Sequence, residues 1–91
     1  MKKEKNVFDF TKVTVEMSFD EFQEMNISKQ LGNSVHRATN DLGIDEKARE
    51  LYRTGKVQLE GEELILFRQA VLACDLIAPA KKAVLDILSN Q

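Results

Sequence analysis

The stretch EELILFRQAVLACDLIA, residues 62–78, constrains the fold more than any other part of the chain. Its acidic start suits the positive end of a helix, and no glycine or proline interrupts it. Wound as a helix, its apolar side chains run nearly all the way round. Only two narrow polar strips remain, Glu62 with Gln69 and Arg68 with Asp75. A helix of this kind is buried at the centre of its domain or covered on one side by a second subunit. With 91 residues the chain is long enough for one core and too short for two. The stretch is therefore expected as the central helix of a single domain spanning 1–91. Leu66 and Phe67, on well-separated faces, are its candidate contacts with a partner.

Strand periodicity appears before it. In TKVTVEM, residues 11–17, Val13, Val15 and Met17 fall on one face while Thr14 and Glu16 fall on the other. β-branched residues at this alternation predict a strand. After SFDE the chain reads FQEMNI, where Phe22 and Ile27 lie on opposite faces of a straight strand, so the return strand is expected to be bulged. Residues 11–27 thus read as a β-hairpin. VFDF, with Phe8 and Phe10 alternating, is read as an extension of the first strand, and residues 1–6 are expected to be disordered.

Helical spacing takes over at residue 27. Apolar residues at 27, 31, 35, 38 and 42 form one stripe, with Ser28 as the expected N-cap. Leu31, Val35, Ala38 and Leu42 are expected inside, with Ser34 and His36 flanking the stripe. Gly32 weakens a helix by roughly 1 kcal/mol relative to alanine, so it is assigned to close packing against another backbone. Gly43 is expected to end this helix, and Asp45 to cap the next, DEKARELYRTG, which buries Ile44, Ala48, Leu51 and Tyr52. Gly55 is placed as its C-terminal cap. KVQLEG reads as a third short strand with Val57 and Leu59 inward. Beyond the central helix, Pro79 marks a new helix start, with Ala80, Val84, Ile87 and Leu88 inward.

The chain offers little for chemistry. His36 is the single histidine and Cys74 the single cysteine, so neither a disulfide nor a zinc site can be built from them. Cys74 lies in the apolar run AVLACDLIA, where a free cysteine acts as a small hydrophobe. Nucleophilic catalysis needs a base within reach of its nucleophile and a group that orients the base. His36 has Ser34, Thr39 and Asn40 nearby in sequence, but no nucleophile elbow, paired histidines or acid pair accompanies it. No glycine pattern cradles phosphate, and no calcium-loop spacing occurs. No catalytic residue, metal or cofactor is assigned, and the protein is read as a non-enzyme.

Charge narrows the partners. The net charge is −2, distributed as +2 over residues 1–12, −4 over 13–28, +2 over 29–56 and −2 over 57–91. No segment is strongly basic, which argues against general binding to a phosphate backbone. A helix-turn-helix over 38–55 fits at Ala38, Leu42, Ile44 and Tyr52, but places Arg49 where a branched apolar residue belongs. Its second helix would present Lys47, Arg49 and Arg53 to nucleic acid, diluted by Glu50. No run approaches the ~18 apolar residues of a membrane span, and no apolar segment follows the first lysines as in a secretory signal. A cytoplasmic, reduced compartment is expected.

The segment ISKQLGNSVHRATNDLGIDEKARELYRTGKVQLEGEE carries a resemblance, over Ser28, Leu31, Gly32, Asn33, Ala48, Arg49, Leu51, Tyr52, Gly55, Val57, Leu59 and Glu63. Over residues 13–78 the chain resembles a family of small uncharacterised proteins encoded in phages and prophages. It departs from them at Gly61, where a capping serine or aspartate is usual. The resemblance implies a bacterial or phage-infected host and a mobile-element or particle-assembly setting; it implies no activity. The sequence therefore predicts an α+β domain, an N-terminal β-hairpin with a third short strand packed on three to four helices. Its expected role is protein–protein interaction or self-association as a homodimer, with a nucleic-acid-binding regulator as the alternative.

Overall fold

The computed structural model describes residues 7–89, and the expectation for residues 1–6 falls outside them. In chain order the elements are β1 (Val7–Asp9), β2 (Val13–Ser18), β3 (Glu21–Met25), α1 (Ser28–Ala38), α2 (Leu42–Thr54), β4 (Lys56–Gln58), α3 (Glu62–Ala73) and α4 (Ala78–Ser89). This is the α+β architecture that the sequence predicts. The four strands form two separate antiparallel ribbons, β1 with β4 and β2 with β3.

The first ribbon differs from expectation. β1 does not extend β2; it crosses the molecule to pair with β4, Val7 opposite Gln58, Phe8 opposite Val57 and Asp9 opposite Lys56. The Asp9 carboxylate bends the chain between the two strands by accepting from Thr11 N at 2.8 Å and Thr11 Oγ1 at 2.5 Å. Such local side-chain bonds favour a turn over continued extension. Phe10 is locked just beyond the ribbon: its N–H donates to Gly55 O at 3.0 Å, and its carbonyl accepts from Ile27 N at 3.1 Å. Phe8, Phe10, Val57 and Leu59 are all buried in the common core.

The hairpin β2–β3 forms as expected, in the register Val13 to Met25 and Val15 to Gln23. Its irregularity lies between Glu16 and Ser18 on the first strand rather than on the return strand. This displaces Met17, expected inside, to 46% exposure, while Val13 and Val15 remain buried. Ile27 reaches the core only after β3 has ended.

α1 and α2 pack closely, and Gly32 is the reason they can. A Cβ there would lie 2.8 Å from Ala48 O and 3.1 Å from Tyr52 Cβ, so the close-packing assignment holds. Two expected caps are reassigned. At α1, Asn26 Oδ1 accepts from Ser28 N at 3.0 Å and Ser28 Oγ at 2.7 Å, so Ser28 is the first helical residue and not the N-cap. At α2, Asp41 is the cap, accepting from Ile44 N at 3.1 Å. The helix α1 ends at Ala38, four residues before the end that its apolar stripe suggested. Thr39 Oγ1 accepts from Asp41 N, and these polar side chains stabilise a turn. Leu42 consequently starts α2 and is 82% exposed, and Gly43 lies inside the helix. Tyr52, also expected inside, is partly exposed and carries the Lys29 ammonium 4.4 Å from its ring centre. Gly55 ends α2 in the left-handed region at φ 84, as expected.

The central helix expected over 62–78 is shorter than its apolar run, and the helix expected at Pro79 follows it. α3 stops at Ala73 and α4 begins at Ala78. A continuous helix would drive the Pro79 ring into the carbonyl four residues earlier. Lys81 Nζ closes the break by donating to Leu72 O and Cys74 O, both at 3.0 Å. At the other end of α3, Gly61 supplies no side-chain cap, and Glu63 Oε1 accepts from Glu60 N at 3.2 Å instead. Phe67, Ala70 and Val71 of α3 join Ala80, Val84 and Leu88 of α4 in the core, while α4 also packs against β2.

Candidate interaction surfaces

The His36 neighbourhood comes closest to a chemical site. Asp45, on the first turn of α2, accepts a hydrogen bond from His36 Nδ1. That bond orients the ring beside a shallow groove of about 220 Å³, lined by His36 and Asp45 and also by Gly32, Asn33, Arg49 and Tyr52. Among the described residues, no serine, threonine or cysteine lines it. Ser34 is buried on the other flank of α1, bordering a second groove with Arg37 and Asp75. The Ser34 hydroxyl, and then the Arg37 guanidinium, hold the Asp75 carboxyl below its ordinary range. Thr39 is engaged in the turn. The orienting partner of His36 therefore comes from nine residues along the chain, across a turn that periodicity misplaced. Among the described residues, no three metal-ligating side chains converge.

The helix α2 carries three acids, Asp45, Glu46 and Glu50, against three bases, Lys47, Arg49 and Arg53. Lys47 lies 3.9 Å from both Glu50 and Glu63, while Arg49 and Arg53 are exposed. The face is charge-balanced and lacks the basic excess that a phosphate backbone attracts. Among the described residues, no helix is long and apolar enough to cross a membrane.

The expected partner contacts on α3 are redistributed by its packing. Phe67 is fully buried in the core of this chain and is not available to another molecule. Leu66 is half-buried beside Ala38, Gln69 and Ala73. The large apolar side chains that α3 turns to water are Ile65 and Leu72, seven residues apart and so on one helical face.

A second apolar surface was not singled out by residue from the sequence. On the hairpin, Phe19 is 95% exposed, Phe22 64% and Met17 46%. Phe19 occupies the turn with Asp20, which adopts φ 65 and donates its N–H to Glu16 Oε2 at 2.7 Å. Nothing in such a turn requires a phenylalanine, since turn positions favour small polar residues. Phe22 pairs with Glu16 across the ladder and borders Pro79 and Lys82 of α4. Met17 borders a groove of about 280 Å³ with Ile77, another exposed aliphatic residue. Glu16, Asp20, Glu21 and Glu24 surround the two phenylalanines, and residues 13–28 contain no lysine or arginine. The sequence signal was present in SFDEF, where two aromatics sit among acids at a turn.

Compared with protein-family models, with curated proteins and with solved structures, the chain matches none.

Proposed function

We propose that this protein works by non-enzymatic contact with another polypeptide, and that the β2–β3 hairpin is its contact element. The observation that carries this reading is the placement of Met17, Phe19 and Phe22 in water within six residues of chain. Isolated exposed hydrophobes are ordinary, but Met17 borders one groove and Phe22 another, each rimmed by polar groups, and apolar surface rimmed in this way is the usual mark of an interface. Aromatic residues also dominate the energetics of such contacts. The particle-assembly setting implied by the phage-protein resemblance belongs to this proposal.

A photo-crosslinking phenylalanine analogue in place of Phe19, with the same analogue in place of exposed Glu46 as control, tests it. A discrete adduct with one partner from position 19 only is expected, formed in a lysate of the native host. The absence of any discrete adduct at position 19 removes the hairpin as contact element.

Self-association through Ile65 and Leu72 of α3 is a second reading, favoured by their sharing one exposed face. Light scattering across a dilution series detects it. A dimer that dissociates in Leu72→Ser supports this face, and a monomer at every concentration removes it. The nucleic-acid alternative finds no support in the balanced charge of α2. A salt-dependent titration with duplex DNA that weakened on charge reversal at Arg49 and Arg53 would restore it.

A further inference from the structure

We propose that the free edge of β3 takes up an extended basic segment of a partner protein as a third strand of the hairpin. This rests on the interaction role proposed above and names the class of partner for the same element. Three observations lead to it.

The edge is open. β2 has α4 packed against it, whereas β3 packs chiefly on β2. Among the described residues, the backbone of Glu21–Met25 makes no hydrogen bond outside the β2 ladder. An unpaired strand edge is a template for another strand, and main-chain bonds then supply affinity while side chains supply choice.

The edge is also acidic, and that selects the occupant. Glu21 and Glu24 lie on β3 itself, with Glu16 and Asp20 beside them. Lys82 of α4 is a cation bordering Phe22, in a groove shared with Thr14 and Glu16 of β2 and with Asp86. An antiparallel β3 from a second copy would bring four more acids against these four. Parallel pairing in register would set glutamate directly opposite glutamate, which is destabilising. A second copy is thus the wrong occupant, and a strand bearing lysine or arginine is the right one.

The third observation is apolar. Phe22 and Glu24 share one face of β3, with Phe19 at the adjoining turn. A partner strand alternating basic and aliphatic residues would set its basic side chains on the face of Glu24 and Phe22, where the ammonium meets the carboxylate and the apolar stem covers the ring.

The test uses a fluorescein-labelled synthetic heptapeptide of alternating lysine and valine, read by anisotropy and by backbone amide NMR shifts. Saturable binding is expected, with the largest shifts confined to Glu21–Met25. Affinity should fall by at least about tenfold for Glu21→Lys/Glu24→Lys, and Glu24→Lys alone should give an intermediate loss. A peptide with N-methylated amides on its pairing edge, and a glutamate–valine peptide, should both fail to bind. Absence of saturable binding overturns the proposal. So does equal binding by the N-methylated peptide, which would mean charge attraction without strand addition. A solution dimer abolished by Gln23→Pro would overturn it in favour of a second copy. An adduct from position 19 combined with no peptide binding would leave the interaction role standing and remove only this partner class.

Discussion

The two β-ribbons of this small domain are built from similar residues and used in opposite ways. β1–β4 joins residues about fifty positions apart, and its inward residues Phe8 and Val57 are buried in the core. β2–β3 is local and closed by a two-residue turn; its first strand buries Val13 and Val15 in the core, while its second only half-buries Met25 against it. No residue of β3 is fully buried, although it carries a phenylalanine and a methionine. The five phenylalanines divide accordingly: Phe8, Phe10 and Phe67 inside, Phe19 and Phe22 outside. Core burial explains the first group. It does not explain the second, and the contact role proposed for the hairpin would account for that difference.

The comparison breaks most readily at Phe10. Its side chain is fully buried, and its backbone ties the ribbon to the start of α1 through Gly55 and Ile27. Phe10→Ala should cost about 3–5 kcal/mol by urea denaturation. For a domain of this size that is a large part of a stability of about 5–15 kcal/mol. A loss below about 1 kcal/mol would mean that the ribbon is peripheral and that the contrast with the hairpin is misplaced.

Gly55 gives the next largest effect. It sits at φ 84, and a Cβ there would lie 2.4 Å from Thr11 Cγ2. Gly55→Ala combines left-handed backbone strain with that clash, for an expected loss of about 1–3 kcal/mol. Thermal melts of Gly55→Ala and Gly55→Ala/Thr11→Ser separate the two costs. Partial recovery in the double variant is expected, because serine lacks the clashing methyl.

These positions also show what was legible in the sequence. Gly55 and Gly32 could be read because each has a local reason, a helix end or a close approach. The hairpin could be read because its alternation is local. The β1–β4 pairing could not, since nothing in VFDF specifies a partner as distant as KVQ. The break after Ala73 was hidden because α3 is apolar all round, so no stripe is lost where it ends. The shifted start of α2 follows from side-chain bonding in Thr39–Asp41, which competed with a periodic leucine and won. At the candidate surfaces, Phe67 was misassigned because an all-apolar helix does not announce its inner face. Ile65 and Leu72 became distinguishable only once the packing of α3 against α1 and α4 was defined.

Acid should probe the two ribbons unequally. In the first, Thr11 holds the Asp9 carboxyl below its ordinary value of 3.8, by its side-chain and then its backbone hydrogen bond, with help from Lys56 and Lys12. A lowered folded-state value means that this contribution is complete above the ordinary value. It is lost as pH falls from there through the folded-state value. Asp9 is at the surface, so screening keeps the effect small. Asp9→Asn should be slightly less stable than the parent at pH 7, and the gap should close below about pH 4. A gap that persisted unchanged at pH 2.5 would assign the loss to altered packing rather than to the carboxylate.

The smallest expected change in stability carries the most weight for function. Phe19 is almost wholly exposed in its turn, so Phe19→Ser should alter folding free energy by no more than about 0.5 kcal/mol. Phe22 retains part of its surface against Pro79, and Phe22→Ser should cost somewhat more than Phe19→Ser while staying below about 1 kcal/mol. Paired urea melts of the two variants and the parent check this. A loss above about 2 kcal/mol at Phe19 would show that the side chain packs against the domain in solution. The hairpin would then be a structural element like the first ribbon. Near-neutrality would instead leave two phenylalanines that folding does not need, at the turn and on a strand whose outer edge no other described element covers. The contact role proposed for the hairpin would then account for them.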